Sequence, residues 1–144
     1  MGLTVVGNGP ERANLERLAG DGIELLGWQS NEQIRDLYRS SLATILPGEE
    51  DFGIVPVEAQ ACGRPVIALG HGGALDTVVD GTTGLLFAEA TVDSLADAMT
   101  RAANTAWDST QIRAHAERFS HSRFLTEIAQ VVDDTMRAPE GQRW

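Results

Sequence analysis

The chain has 144 residues, 42% apolar and 22% charged, the balance of one globular domain able to bury a core. Its formal net charge of -10 argues against a general affinity for nucleic acid, where phosphate neutralisation dominates, yet leaves room for a small anion held by local donors. One cysteine, Cys62, excludes an internal disulfide and reads as a small core residue; the absence of lysine excludes lysine chemistry; and no membrane-length apolar run or signal peptide appears, so a cytoplasmic location is expected.

Along the chain, "LTVVG" (3–7) reads as a buried strand. "PERANLERLAG" (10–20) reads as a helix with Pro10 in its first turn and Gly20 past its end. "IELLG" (23–27) is the next strand, and "SNEQIRDLYRS" (30–40) a helix capped by Ser30 or Asn31, with Ile34, Leu37 and Tyr38 on one face. A strand over 42–47 leads to a helix over 54–62 that Gly63 and Pro65 close. "PVIAL" (65–69), a short helix over 72–81 and "GLLF" (84–87) follow. From Thr91 the pattern is helical, with Leu95, Ala98, Met99 and Ala102 at core spacing. Phe119, Phe124, Ile128 and Val131 continue the apolar seam, so residues 1–137 form one domain, helical over 91–137, with a frayed tail at 138–144.

Apolar strands alternating with helices imply a parallel sheet covered on both faces, a Rossmann-like α/β layer structure. Ligands of such sheets sit at the carboxyl ends of the strands. The stretches 7–9, 48–53 and 70–73 each follow a strand, so they converge on one edge.

The stretch "PGEEDFGIVPVEAQACGRPVIA" (47–68) carries two acids around a helix start. Gly53, Ile54 and Val55 offer first-turn N–H groups suited to phosphate oxygens, and Gly53 permits close approach. Glu58, about one turn into the helix, has two acceptor oxygens, which suit a vicinal diol; Glu50 in the preceding loop could meet further hydroxyls. Phosphate donors between two hydroxyl-binding acids describe a nucleotide-sugar site. By spacing alone, the reading that both acids are merely solvated charges stays open.

Residues 47–73, "PGEEDFGIVPVEAQACGRPVIALGHGG", resemble the Glu-x7-Glu segment of the retaining, two-domain (GT-B) glycosyltransferases of family 4, also called group 1. "VVGNGPERANLERLA", "IELLGWQSNEQIRDLYRSSLATILPG" and "DTVVDGTTGLLF" resemble further blocks of that family in the same order. The wording around the two acids looks most like that of mannosyltransferases. The resemblance implies the donor-binding, C-terminal half of a GT-B fold, with hexosyl transfer from a GDP- or UDP-sugar to an acceptor hydroxyl. It implies that Glu50 touches the donor sugar near the reacting carbon and that Glu58 binds the ribose diol. Phe52, Gly53, Ile54 and Val55 would meet sugar and diphosphate. Trp28, Gln29 and Ser30 would line the base pocket, and Gly7 and Gly9 would form the turn beside the nucleotide. No cofactor, protein-held metal or enzyme nucleophile is implied.

This sequence also departs from the pattern. The family's basic pair for the diphosphate lies upstream of the Gly-x-Gly strand, on a first strand-helix unit that this chain lacks. The acceptor-binding N-terminal domain is likewise absent, and the usual Gly-Gly-x-x-Glu ends in Asp76. The chain is therefore expected to be inactive alone and to expose an apolar edge open to self-association. Peripheral attachment at the inner membrane face would belong to the full-length protein. The alternative is a non-catalytic nucleotide-sugar-binding subunit or truncated fragment. "GNGPER" (7–12) does not make a dinucleotide fingerprint, because Arg12 stands where the third glycine belongs. His71, between glycines at a strand end, could donate to a phosphate or sugar but reads as a partly exposed loop residue, His115 and His121 as surface or packing residues, Trp107 as helix-edge packing and Trp144 as tail.

Overall fold

In the computed structural model, which describes residues 2–138, strand and helix alternate as the apolar pattern requires. The order is β1 (Leu3–Val6), α1 (Arg12–Leu18), β2 (Ile23–Gly27), α2 (Asn31–Ser40), β3 (Thr44–Leu46), α3 (Ile54–Ala61) and β4 (Val66–Leu69). It continues with α4 (Ala74–Thr77), β5 (Gly84–Phe87), α5 (Val92–Ala103), α6 (Ser109–Ala116), a 3-10 turn (Glu117–Phe119) and α7 (His121–Arg137). Six of the expected tail residues, 139–144, and with them Trp144, lie outside the described residues. No helix among the described residues is long and apolar enough to cross a membrane.

Local chemistry sets several boundaries. Ser30 caps α2 through a reciprocal box in which its hydroxyl accepts from the Gln33 N–H and the Gln33 side chain accepts from the Ser30 N–H. Thr91 and Asp108 cap α5 and α6. Two helices are shorter than the periodicity suggests. Pro10 lies in the turn before α1, and α4 ends at Thr77 because Val78 is already extended.

All strand pairing is parallel, in two ladders, β1–β2 and β3–β4–β5. The core belongs to the second ladder. Alternation along β4 sends Val66 and Ala68 to one face with Leu46, Ala59, Ala74 and Val78, and Ile67 and Leu69 to the other with Leu85, Phe87, Ala98 and Ala102. Leu95 and Met99 pack against this second cluster, as their spacing predicts. Trp107 closes its edge, its indole N–H donating to the Ala102 carbonyl at 3.0 Å.

The first ladder corrects the expectation of strands covered on both faces. Leu3 and Val6 on β1 and Ile23 on β2 are exposed, and α1 buries no residue. The apolar seam of α7 is also uncovered: Phe124, Ile128 and Val131 are all exposed. The reason is the same in both places. An apolar face is buried only if another layer packs on it, and none of the described elements does so here. Cys62, at the end of α3, is half-buried rather than in the core.

Candidate functional site

Strand β3 delivers the chain at Leu46 into an exposed loop, Pro47–Phe52, that re-enters the fold at Gly53. Gly53 has φ +79°, a left-handed conformation that other residues rarely adopt, and it begins α3. Pro56 is the third helical residue, where its missing N–H costs no helical bond. The first turn of α3 therefore opens beside Phe52 with its N–H groups directed out of the helix.

The loop is fastened from below by the start of α4. The Gly73 N–H donates to the Glu50 carbonyl at 2.7 Å. A Cβ on Gly73 would stand 2.3 Å from the Phe52 carbonyl carbon, so this contact admits only glycine. Since Gly73 has an ordinary φ of -62°, the demand is one of space and not of backbone conformation. Thr77, fully buried, donates its hydroxyl to the Gly73 carbonyl at 2.8 Å and holds the turn in place. Gln60 of α3 donates to the Thr77 carbonyl at 2.8 Å, which locks α3 to α4.

Both acids are exposed, Glu50 in the loop and Glu58 on α3. The Tyr38 hydroxyl of α2 donates to Glu58 Oε2 at 3.1 Å. Burial pushes the Tyr38 phenol well above its ordinary ionisation range, and the Glu58 charge, its hydrogen bond, and the Cys62 and Glu50 groups push the same way. Of the two acids, Glu58 is the one hydrogen-bonded to this phenol.

The Gly-x-Gly turn and the Trp28 loop meet at the carboxyl end of the first ladder, where the Gly7 N–H donates to the Gly27 carbonyl at 2.8 Å. Gly7 has φ +116°, and a Cβ on Gly7 or Gly9 would meet open space. Trp28 is exposed, Gln29 donates to the Leu26 carbonyl, and the Ser30 hydroxyl is occupied in capping α2. Arg12 folds over this turn, donating to Asn8 Oδ1 and the Leu25 carbonyl, each at 3.0 Å, and to Glu16 at 2.8 Å.

Four contributors were not legible as site residues: Tyr38, Thr77, His115 and Phe119. Phe52 packs edge-on against Phe119 with ring centroids 6.4 Å apart, and Phe119 packs likewise on His115 at 5.7 Å. The His115 ring also bonds the Thr77 carbonyl at 3.2 Å. The C-terminal helical part thereby braces the Phe52 loop. Only the aromatic residues in "AHAERF" hinted at this, and a helical pattern gives them a face but no target. His71 is an exposed loop residue, as expected. Among the described residues, no three His, Cys, Asp or Glu side chains are grouped to hold a metal ion.

Residues 1–119 match the family described as glycosyl transferases group 1. A D-inositol 3-phosphate glycosyltransferase of Saccharomonospora viridis is 32% identical over 155 aligned positions, covering 96% of this chain and 36% of the relative. One from Nocardiopsis dassonvillei is 37% identical over 108 positions, covering 72% of this chain and 25% of the relative. The chain thus spans well under half the length of these relatives. Sucrose-phosphate synthase from Thermosynechococcus elongatus superposes with TM-score 0.75 at 27% identity, over 95% of this chain and 39% of that one. Anabaena HepE in complex with UDP-glucose superposes with TM-score 0.73 at 23% identity, over 92% and 41%. These neighbours are GT-B glycosyltransferases, which agrees with the α/β arrangement of parallel sheets flanked by helices.

Proposed function

The chain belongs to the group 1 glycosyl transferases, and from that premise we propose that it is the donor-binding domain of a retaining family 4 enzyme that transfers a hexosyl group from a nucleoside diphosphate to an acceptor hydroxyl. The observation that carries the reading is the pair Glu50 and Glu58 flanking the α3 start along the chain, both exposed, with Glu58 hydrogen-bonded to Tyr38.

Diphosphate oxygens take the N–H groups around Phe52–Val55, where the helix dipole favours negative charge. Glu58 accepts from the ribose hydroxyls, and Glu50 accepts from the sugar near the bond that breaks. Gly7 and Gly9 leave open space beside the nucleotide, while Trp28, Gln29 and Ser30 border the base. Catalysis in this reading is mainly positioning and stabilisation of the departing diphosphate. The complexes of neighbours with UDP and UDP-glucose favour a uridine donor, and the mannosyltransferase-like wording of the sequence keeps a guanosine donor as the second candidate.

The exposed apolar faces of β1, β2 and α7 support a larger protein, with a further strand-helix unit and an acceptor-binding domain outside this chain. Those parts would supply the acceptor pocket, the basic pair for the diphosphate and any membrane contact. Alone, the chain is expected to bind donor without transferring sugar.

Calorimetric titration with UDP, GDP and their glucose and mannose conjugates tests the proposal. Saturable binding of one base is expected, weakened in Glu58→Ala by about 1–3 kcal/mol, the scale of a charge-assisted hydrogen bond. Equal affinity of wild type and Glu58→Ala would overturn the assignment of that acid.

A further inference from the structure

We propose that Tyr38 is a positioning residue for nucleotide recognition, holding the Glu58 carboxylate in the orientation that receives the ribose diol. The inference rests on the donor-site reading above and adds a residue to it.

Tyr38 sits two turns into α2, half-buried against the core cluster that contains Ala59 of α3. Its ring is fixed by packing, and its hydroxyl reaches Glu58 Oε2 at 3.1 Å. Glu58 itself is exposed on an eight-residue helix, and a glutamate there has three freely rotating bonds. One bond from a fixed phenol removes most of that freedom while leaving Oε1 and the second lone pair of Oε2 for a ligand. At 3.1 Å the bond is longer than the roughly 2.5–2.7 Å of a strong hydroxyl-to-carboxylate bond, so it orients the acid without saturating it.

The placement of α2 gives the contact a second consequence. The same helix begins at Ser30, directly after the Trp28–Gln29 loop. It is joined to the turn that follows α3 by further contacts: the Arg64 guanidinium donates to the Arg39 carbonyl, and Cys62 Sγ lies 4.0 Å from the Arg35 carbonyl. Tyr38 therefore ties the carboxylate for the ribose to the helix that carries the loop bordering the base. Both ends of a nucleoside are then referred to one rigid element.

Tyr38 is the single tyrosine of the chain, so its signals need no assignment. The test compares affinities for a nucleoside diphosphate and its 2′,3′-dideoxy analogue, with UDP and GDP as the two parent probes. Wild type should prefer the parent, and Glu58→Ala should abolish that preference. Tyr38→Phe, which keeps the ring and its packing, should reduce the preference about threefold to tenfold, the scale of one lost hydrogen bond. The double variant should lose no more than Glu58→Ala alone, because both changes remove one interaction. With the ring of Tyr38 labelled for NMR, the parent nucleotide should move its resonances in wild type and not in Glu58→Ala. A Tyr38→Phe variant that weakens parent and dideoxy nucleotide equally would reduce Tyr38 to a packing residue and overturn the inference alone. A Glu58→Ala variant that keeps the preference, or wild type that binds neither parent, would overturn the donor-site reading and this inference with it.

Discussion

Tyr38 and Glu58 illustrate how one contact couples a side chain's proton to the state of the fold. Burial, then the Glu58 carboxylate, holds the phenol protonated in the folded chain beyond its ordinary value of 10.0. The unfolded chain releases that proton near the ordinary value, so above it the folded state binds more protons and stability falls as pH rises. The Tyr38 contribution is therefore fully present below pH 10.0 and is lost progressively above it. Denaturant midpoints measured across the alkaline range should decline more steeply for wild type than for Tyr38→Phe. Glu50 belongs to a different case. Its backbone is anchored to Gly73 while its carboxylate is exposed, so Glu50→Gln should leave the fold and nucleotide affinity nearly intact. On the proposed role of Glu50, the same change in a longer, active protein should lower kcat far more than it raises KM, as expected where a lost interaction forms mainly in the transition state.

At the scale of elements, the candidate site is the junction of three pieces: the loop after β3, the start of α3 and the turn into α4. Gly73 is where they touch. A Gly73→Ala Cβ would meet the Phe52 backbone at 2.3 Å, so the loop must shift. The expected cost is about 1–3 kcal/mol of stability, the range for overpacking, with a larger loss of nucleotide affinity because the Phe52 backbone at the start of α3 moves with the loop. Thermal denaturation and titration of the same sample check both. A pair of isoleucines separates core from surface. Ile112 on α6 is fully buried, and Ile112→Ala should cost about 2–5 kcal/mol. Ile128 on α7 is exposed, and Ile128→Ala should stay within about 0.5 kcal/mol in this chain. Ile128 lies on the more strongly amphipathic of the two helices, so periodicity alone would rank the pair the wrong way round.

The whole molecule is unevenly built. The β3–β4–β5 ladder is packed on both faces, whereas the β1–β2 ladder and α7 present apolar side chains to solvent. Exposed apolar surface of this kind is a docking surface or an association hazard. Sedimentation at increasing concentration should therefore show reversible self-association of the isolated chain. A longer protein with the further domain should remain monodisperse under the same conditions if that domain covers these faces.

Sequence by itself determined the order and type of the strands and main helices, because each element's period and its capping residues are local properties of the chain. It also determined which candidate residues follow strand ends, since Gly7 and Gly9 come directly after β1 and Glu50 and Gly53 after β3, and those positions are local to the chain. Tertiary structure alone decided which apolar faces are covered, because burial depends on a second layer that periodicity cannot count. It alone decided that Tyr38 bonds Glu58 besides packing on the core, and that Phe119 and His115 reach back to Phe52 and Thr77. Those partners lie 20, 67 and 38 residues apart along the chain, and no spacing rule reaches across such separations; packing of one helix on another brings them together.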